Sequence, residues 1–351
     1  MSATQFWAGK RILLTGHTGF KGAWLALWLQ RLGANVTGIS LAPTTTPSLF
    51  YLADIGSTIE SHFCDIRDTE KLNNLMQQIQ PEIVFHLAAQ ALVRESYTNP
   101  VTTFSTNVMG TANLLDSLRK LQSTKVAVMV TTDKVYKNKE WQWPYRETDE
   151  LGGYDPYSAS KAASEIVINS FRDAFLKNQG IAIASARAGN VVGGGDWAEN
   201  RLIPDIVKAW QADELVNIRR PNAIRPWQHV LEPLSSYITL AEELWTNPDL
   251  ASAYNFGPNA NEAASVKEVI NLAKASFPQG KVHFRGETEG PYEASLLTLD
   301  TSKARSILAT KPRWDLKETI SRTMNWYQAQ HQGQSAKKLC ESDIFAFEEF
   351  A

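Results

Sequence analysis

The feature that most constrains this chain is the run Thr15-Gly-His-Thr-Gly-Phe-Lys-Gly22, set between a short apolar segment and an amphipathic one. Arg11-Ile-Leu-Leu-Thr15 reads as a buried strand. Leu25, Trp28, Leu29 and Leu32 recur at i, i+3, i+4 and i+7, one face of a helix that Gly33 closes. A strand that turns through glycines straight into a helix starts a βαβ unit. In such a turn one glycine permits the tight bend, another lets backbone approach a pyrophosphate, and the third lets helix pack on strand. The helix N-terminus then offers unpaired N–H groups and the positive end of its dipole to phosphate. The spacing of Gly16, Gly19 and Gly22 is G-x-x-G-x-x-G rather than G-x-G-x-x-G. A glycine trio alone is a common turn, and here its place between strand and helix carries the weight. His17, Thr18 and Phe20 complete the turn as candidate cofactor contacts.

Further strands are expected at 35–40, 59–64, 83–87, 126–130 and 181–186, with helices at about 69–80, 101–121 and 157–178. Several of these strands are apolar almost throughout, as strands are when helices cover both faces of a sheet. The alternation predicts an α/β fold, a Rossmann-type doubly wound parallel sheet. After Gly193-Gly-Gly195 the texture changes, and Trp, Arg and Pro become frequent. Helices are expected at about 202–213, 231–245, 266–276 and 316–330, and short strands near 216–218 and 254–256. These form a smaller C-terminal α/β lobe. The expected division is 1–190 for the dinucleotide, 191–330 for the substrate with the chain free to cross between lobes, and 331–351 as a tail without assignment.

Composition excludes several classes. Lys+Arg number 35 against Asp+Glu 37, so there is no basic excess to neutralise phosphates, and nucleic acid is not an expected partner. The two cysteines, Cys64 and Cys340, form neither a disulfide nor a metal framework, which fits a reducing compartment. No metal is expected. Residues 1–10 lack an apolar signal region and no run reaches membrane-spanning length, so the expectation is a soluble cytoplasmic protein without a membrane partner. The 11 tryptophans read first as large core residues and second as surfaces for stacking a ligand.

Two further clusters carry chemistry. The second strand ends Gly38-Ile-Ser-Leu-Ala-Pro43 with no acid to hold ribose hydroxyls; Ser40 offers a weaker bond, and no arginine stands there for a 2′-phosphate, which favours NAD over NADP. Asp65, followed by Ile66, lies past the third strand, where it meets an adenine amino group or simply caps a turn. Tyr157-Ser-Ala-Ser-Lys161 places tyrosine and lysine one helical turn apart. A tyrosine of pKa about 10 is a poor base near neutrality, but a neighbouring ammonium and a cationic nicotinamide favour the phenolate. Upstream, Thr131-Thr-Asp-Lys-Val-Tyr136 falls at the carboxyl end of the fifth strand, the end where open α/β sheets bind ligands. Thr132, Asp133 and Lys134 therefore face the same crevice as Tyr157, or else form an exposed turn.

With Leu87-Ala88-Ala89 and Asn107 added, these motifs resemble the extended short-chain dehydrogenase/reductase family over nearly the whole chain. Within it the chain looks most like the CDP-glucose 4,6-dehydratases, on the runs Gly16–Gly22, Thr131–Tyr136, Pro156–Lys161, Ala188–Trp197 and Arg225-Pro-Trp-Gln-His-Val230. The resemblance implies a lyase that binds NAD and CDP-glucose. Tyr157 would take the 4-hydroxyl proton while C4 gives up hydride, water would leave across C5–C6, and hydride would return to C6. Asp133 would serve as acid for the 6-hydroxyl. Lys134 stands where the related dTDP-glucose dehydratases carry glutamate, which leaves the C5 base the open assignment. Asn190 and Arg225 match residues at the sugar diphosphate, and Arg94 and Arg201 are further candidates. His17, His86 and His229 also read as packing residues. The resemblance implies deoxysugar biosynthesis, including that of lipopolysaccharide O-antigen, and a homodimer or homotetramer paired through the helices at 101–121 and 157–178. A 4-epimerase or reductase on the same scaffold is the alternative reaction, and an NAD-sensing binding protein the non-enzymatic one.

Overall fold

The computed structural model describes residues 3–259, 262–284 and 296–350. Its centre is seven parallel strands: β1 (Arg11–Thr15), β2 (Asn35–Ser40), β3 (Glu60–Phe63), β4 (Ile83–His86), β5 (Val126–Val130), β6 (Ala182–Ala188) and β7 (Ala253–Phe256). Their order is β7-β6-β5-β4-β1-β2-β3. Alternate side chains of the central strands β1, β4 and β5 enter two cores. Ile12, Leu14, Ile83, Phe85, Val126 and Val128 face the larger; Leu13, Val84, Ala127 and Met129 face the other. Burial on both faces is why these strands read as uninterrupted apolar runs. The order reverses between β1 and β4, and the crevice outside the carboxyl ends opens there.

Helix α1 (Phe20–Arg31) follows β1 and buries Ala23 through Leu29. Helix α2 (Thr69–Ile79) is capped by Asp68, whose side chain accepts from Lys71 N, and it stops at Gln80, which turns left-handed at φ 46° before Pro81. The helix expected at 101–121 is interrupted. It starts at Pro100, runs to Phe104, passes through a π-turn at Ser105–Met109, and resumes as α3 (Gly110–Leu118). The cause is local. The extra residue turns Asn107 inward, where it is buried, and a side chain at Gly110 would overlap Ile66. Helix α4 (Pro156–Phe171) is capped by Asp155, which accepts from Ser158 N, and its last turns run on to Gly180, left-handed at φ 76°.

The smaller lobe carries α5 (Leu202–Gln211) and a parallel strand pair, Leu215–Ile218 with Lys281–Phe284. The chain then crosses back. Helix α6 (Leu231–Thr246) packs on β5 and β6, and β7 adds to the sheet edge with Ala253 opposite Ser185. Residues 231–256, within the range expected for the substrate lobe, thus complete the sheet. The two lobes share one core, in which Ile12, Val216 and Phe277 all take part. Eight of the eleven tryptophans are buried in the fold. No helix among the described residues is long and apolar enough to cross a membrane, and no group of three His, Cys, Asp or Glu is placed to hold a metal.

Helix α7 (Val266–Ala273) opens with a Ser265/Glu268 capping box, and α8 (Leu316–His331) with an Asp315 cap. The segment left without assignment forms a further helix, α9 (Ala336–Glu349), capped by Ser335. Its Ala336, Cys340, Ile344 and Phe347 make one buried stripe. Phe347 packs edge-on against Trp28 and Trp314, with centroids 5.7 and 5.0 Å away. Glu348 accepts from Trp28 Nε1 at 2.9 Å and pairs with Arg31 at 2.9 Å. Phe347→Ala is therefore expected to lower unfolding free energy by about 3–5 kcal/mol, read from the urea midpoint. A loss under about 1 kcal/mol would show that α9 docks without anchoring α1.

Candidate active site

The glycine turn is built by close approach of backbone. Gly16 has φ +80°, and a Cβ there would lie 2.8 Å from Ala88 N; a Cβ on Gly22 would overlap the Gly16 carbonyl oxygen. Gly19 caps α1 without a side-chain bond, which leaves the first-turn N–H groups to a ligand. Thr15 Oγ1 ties the exit of β4 to this turn: it accepts from Leu87 N at 3.1 Å and Ala88 N at 3.2 Å and bonds His86 Nδ1 at 2.7 Å. Ala89 is the next residue out. Burial holds His86 down at about 3, with the Lys161 charge adding to it, so it is a neutral packing residue. His17 lies against Gly38, where any side chain would overlap its ring, and bonds Ser61 Oγ at 2.6 Å. Burial lowers His17 to about 4.

At the carboxyl end of β2, Thr18 Oγ1 donates to Leu41 O at 2.9 Å and bonds Ser40 Oγ at 2.7 Å. The Ser40 hydrogen is therefore engaged and its lone pairs are what it presents. Asp65 accepts from Arg67 N at 2.8 Å and pairs with Arg67 Nη2 at 2.6 Å, which holds its carboxyl below the usual range. Ile66 is buried against Gly110.

Tyr157 and Lys161 face the end of β5 from successive turns of α4. Lys161 Nζ donates to Val130 O at 3.0 Å, and burial lowers the amine to about 8 against the opposing charge of Glu165. Tyr157 hydrogen-bonds Thr132; burial pushes its phenol up to about 12, while Thr132 and the Arg201 charge pull the other way. The protein alone thus keeps Tyr157 neutral, and the charge that favours its phenolate is that of Arg201. Asp133 is 1% exposed. Its Oδ1 accepts from Thr132 Oγ1 at 2.9 Å and lies 3.6 Å from Lys134 Nζ; its Oδ2 has no hydrogen-bond partner among the described residues. Lys134 is partly exposed at the rim.

A Cβ built on Gly189 would lie 3.2 Å from Asp133 Oδ2 and 2.8 Å from Pro226 Cγ. Gly189, at the exit of β6, is therefore packed between that carboxylate and Pro226. Asn190 Oδ1 is buried without a partner among the described residues. Arg201 pairs with Asp196 at 2.8 Å, Arg94 Nη1 donates to Asn200 Oδ1 at 2.9 Å, and Arg225 Nη1 donates to Ile224 O at 2.8 Å. Asn107 joins the two halves: Oδ1 accepts from Gln90 N at 2.8 Å, and Nδ2 donates to Gln90 O at 3.0 Å and Ser160 Oγ at 2.8 Å. His229 is packed between Trp24 and Trp314, and burial lowers it to about 3.

Two features escaped the sequence reading. Lys21, inside the glycine turn, donates through Nζ to Tyr237 OH on α6 at 3.1 Å. Its signal was a charge in the middle of a turn that opens a buried helix. The other is Glu165, fully buried one turn beyond Lys161, paired with Arg187 at 2.9 Å. Burial pushes Glu165 up, yet Arg187 and two hydroxyls hold it below the ordinary carboxylate range. Glu165→Gln would leave the Arg187 cation buried and uncompensated. The expected cost is about 3–5 kcal/mol by chemical denaturation; a change under about 1 kcal/mol would mean that hydrogen bonds alone hold the network.

The GDP-mannose 4,6 dehydratase family model matches residues 13–323. The chain is 47% identical to the CDP-glucose 4,6-dehydratase of Salmonella typhimurium, over 94% of each chain. Among solved structures it is similar to the epimerase Mth375 of Methanothermobacter thermautotrophicus (TM-score 0.81, 22% identity, 95% and 96% coverage). It also resembles the dTDP-glucose 4,6-dehydratase of Bacillus anthracis in complex with NAD (TM-score 0.76, 19% identity, 94% and 100% coverage).

Proposed function

This chain belongs to the GDP-mannose 4,6 dehydratase family, and from that premise we propose that it is an NAD-dependent lyase converting CDP-glucose to CDP-4-keto-6-deoxyglucose. The observation that carries the dehydratase reading is Asp133: a buried carboxylate beside Thr132 and Tyr157, with one oxygen unpartnered among the described residues. A 4-epimerase needs no such acid.

The residues fit a dinucleotide. The Gly16–Gly22 turn has no room for side chains at its first and third glycines, and α1 has an N-terminus without a side-chain cap. His17, Thr18, Gly19 and Phe20 would line the pyrophosphate, Ser40 and Asp65 with Ile66 the adenosine, Leu87–Ala89 and Asn107 the inner wall. Tyr157 and Lys161 would hold the nicotinamide ribose. Ser40 offers acceptor lone pairs where an acid is usual, and no arginine stands there, which supports NAD over NADP. NAD held there would supply an acceptor for the hydride of C4 and its donor to C6. Tyr157 takes the proton from the 4-hydroxyl, and the cationic oxidised ring supplies charge that brings its phenol down from about 12. Asp133 hands a proton through Oδ2 to the departing 6-hydroxyl. Lys134, whose Nζ lies 3.6 Å from Asp133 Oδ1, takes the proton from C5 as the neutral amine once the 4-keto group has acidified it, so the pair works with its shared proton on Asp133. Asn190, Arg225, Arg201 and Arg94 would bind the sugar diphosphate, so that 1–190 would serve mainly the cofactor and most of 191–330 the substrate, with 231–256 returned to the sheet.

The outer faces of 100–118 and α4 expose Val101, Met109 and Ile166, at 79, 55 and 61%. Exposed apolar surface of that kind supports a homodimer or homotetramer through these helices. Free cysteines and acidic-neutral charge agree with a cytoplasmic enzyme of deoxysugar synthesis, in a route such as O-antigen assembly.

The first test is product analysis after incubation with CDP-glucose and a trace of NAD⁺, alongside dTDP-, UDP- and GDP-sugars. Loss of water from CDP-glucose with no net NADH is expected. Water loss from another nucleotide sugar only would remove the cytidine assignment; a mass-neutral isomer would establish the epimerase, and tight NAD binding without product the sensor. Tyr157→Phe should lower kcat by about 10²–10⁴-fold. Asp133→Asn should slow water loss while C4 oxidation persists, so absorbance at the NADH band accumulates with substrate; an absence of that band with normal turnover would take Asp133 out of the mechanism.

A further inference from the structure

Lys161 and Glu165 stand at i and i+4 on α4, one turn apart on the same face, and both are buried, at 6 and 0% exposure. The end of β5 grips them with neighbouring residues. Val130 O accepts from Lys161 Nζ at 3.0 Å, and Thr131 Oγ1 donates to Glu165 Oε1 at 2.5 Å. The carbonyl seats the amine but carries no charge. Burial lowers the amine to about 8, and the charge that pulls it the other way is the Glu165 carboxylate. That carboxylate is itself fixed. Burial alone would push it up, but Arg187, Thr131 and Ser185 hold it below the ordinary range. Other groups face the same corner. His86 on β4 is kept neutral by burial, at about 3; Lys21 in the first turn of α1 is a second amine, lowered by burial to about 7; and burial pushes the Tyr157 phenol up to about 12. Asp133, after β5, acts on Lys21 and Tyr157.

Resting on the reading of Tyr157 as base, we propose that Glu165 is a positioning residue for Lys161: its fixed negative charge, one turn along the helix, keeps the Lys161 ammonium charged and seated on Val130 O beside Tyr157. The ion pair with Arg187 then has a purpose besides stability. An unpaired carboxylate at this depth would take up a proton and lose its field, and Arg187 prevents that. The sign follows from the lowered amine. Lys161 is charged below about pH 8 and neutral above it, so the support it gives the Tyr157 phenolate is present on the acid side and lost as pH rises through that value. Without Glu165 the loss comes at lower pH.

The test titrates Lys161 directly. The full chain, labelled with [ε-¹³C]lysine, would be followed by NMR between pH 6 and 10, with the Lys161 resonance identified by its loss in Lys161→Met. Glu165→Gln with Arg187→Gln removes both charges and leaves no uncompensated ion. The expected result is a wild-type midpoint near 8 and a midpoint about one pH unit lower in the double variant. A purely structural pair would lower the unfolding free energy and leave the midpoint unmoved, so equal midpoints would overturn the proposal. Glu165→Asp keeps the charge and should hold the midpoint within about 0.3 pH unit of wild-type. A wild-type midpoint under about 7 would also overturn the proposal, even if the double variant did not fold, because Lys161 would then be neutral despite Glu165. The alkaline limb of kcat/KM for water loss should move with the Lys161 midpoint. A midpoint that moves while that limb stays would leave the hold of Glu165 on Lys161 standing and overturn the reading of Tyr157 as base.

Discussion

The structure turns on one buried carboxylate. Glu165 accepts from Thr131 Oγ1 at 2.5 Å, Ser185 Oγ at 2.7 Å, and Arg187 Nε and Nη2 at 2.9 and 3.0 Å. Arg187 Nη1 continues to Tyr136 OH, and Tyr136 donates to Asn255 Oδ1. One chain of bonds thus runs from α4 through β5 and β6 to β7. Desolvating two charges is costly, and the cost is offset here because nearly every lone pair and proton of the pair is matched. What results is register. Tyr157, Lys161 and Glu165 occupy successive turns of one helix face, so locking the third sets the height of the first two above the strand ends.

The site above that network holds less charge than its residue list suggests. Burial raises Tyr157 and lowers both Lys161 and Lys21, three groups driven towards neutrality by the same scarcity of water. A charged ligand entering such a pocket changes the protonation of its walls as well as filling it. The π-turn at Ser105–Met109 belongs to the same design: it spends a helical hydrogen-bond register to place Asn107 where it links the exit of β4 to α4.

Much of this was legible in the sequence, for identifiable reasons. Strands buried on both faces give apolar runs that only helices of greater length could mimic, and β1, β4 and β5 were legible for that reason; all six strands expected for the first lobe lie where β1–β6 formed, the exposed and polar β3 included. The glycine turn was legible because close backbone contact tolerates no other residue. The return of residues 231–256 to the sheet was not, since helix and strand signals say nothing of which lobe an element joins. The π-turn has no periodic signature of its own within an otherwise helical stretch. Helix α9 did have one, in Ala336, Cys340, Ile344 and Phe347, but its short apolar stripe lies among Lys and Glu, and small residues weaken the contrast. Asp65 shows a further limit: spacing located it, whereas its engagement by Arg67 two residues on is a matter of rotamers.

The contact between Trp28 and Glu348 spans 320 residues of sequence. Helix α1, whose first turn follows the glycine-rich turn, is therefore left with its outer tryptophan face wet throughout synthesis of the intervening chain. The order of emergence from the ribosome opposes the order of assembly: the earliest functional element waits on one of the latest structural ones. A chain interrupted before α9 would display Trp28 and Trp314 together, an aromatic surface of the kind that chaperones and proteases read as unfinished. Completion of the far helix thus hides an aromatic surface that a chain stopped short of Phe347 would leave in water.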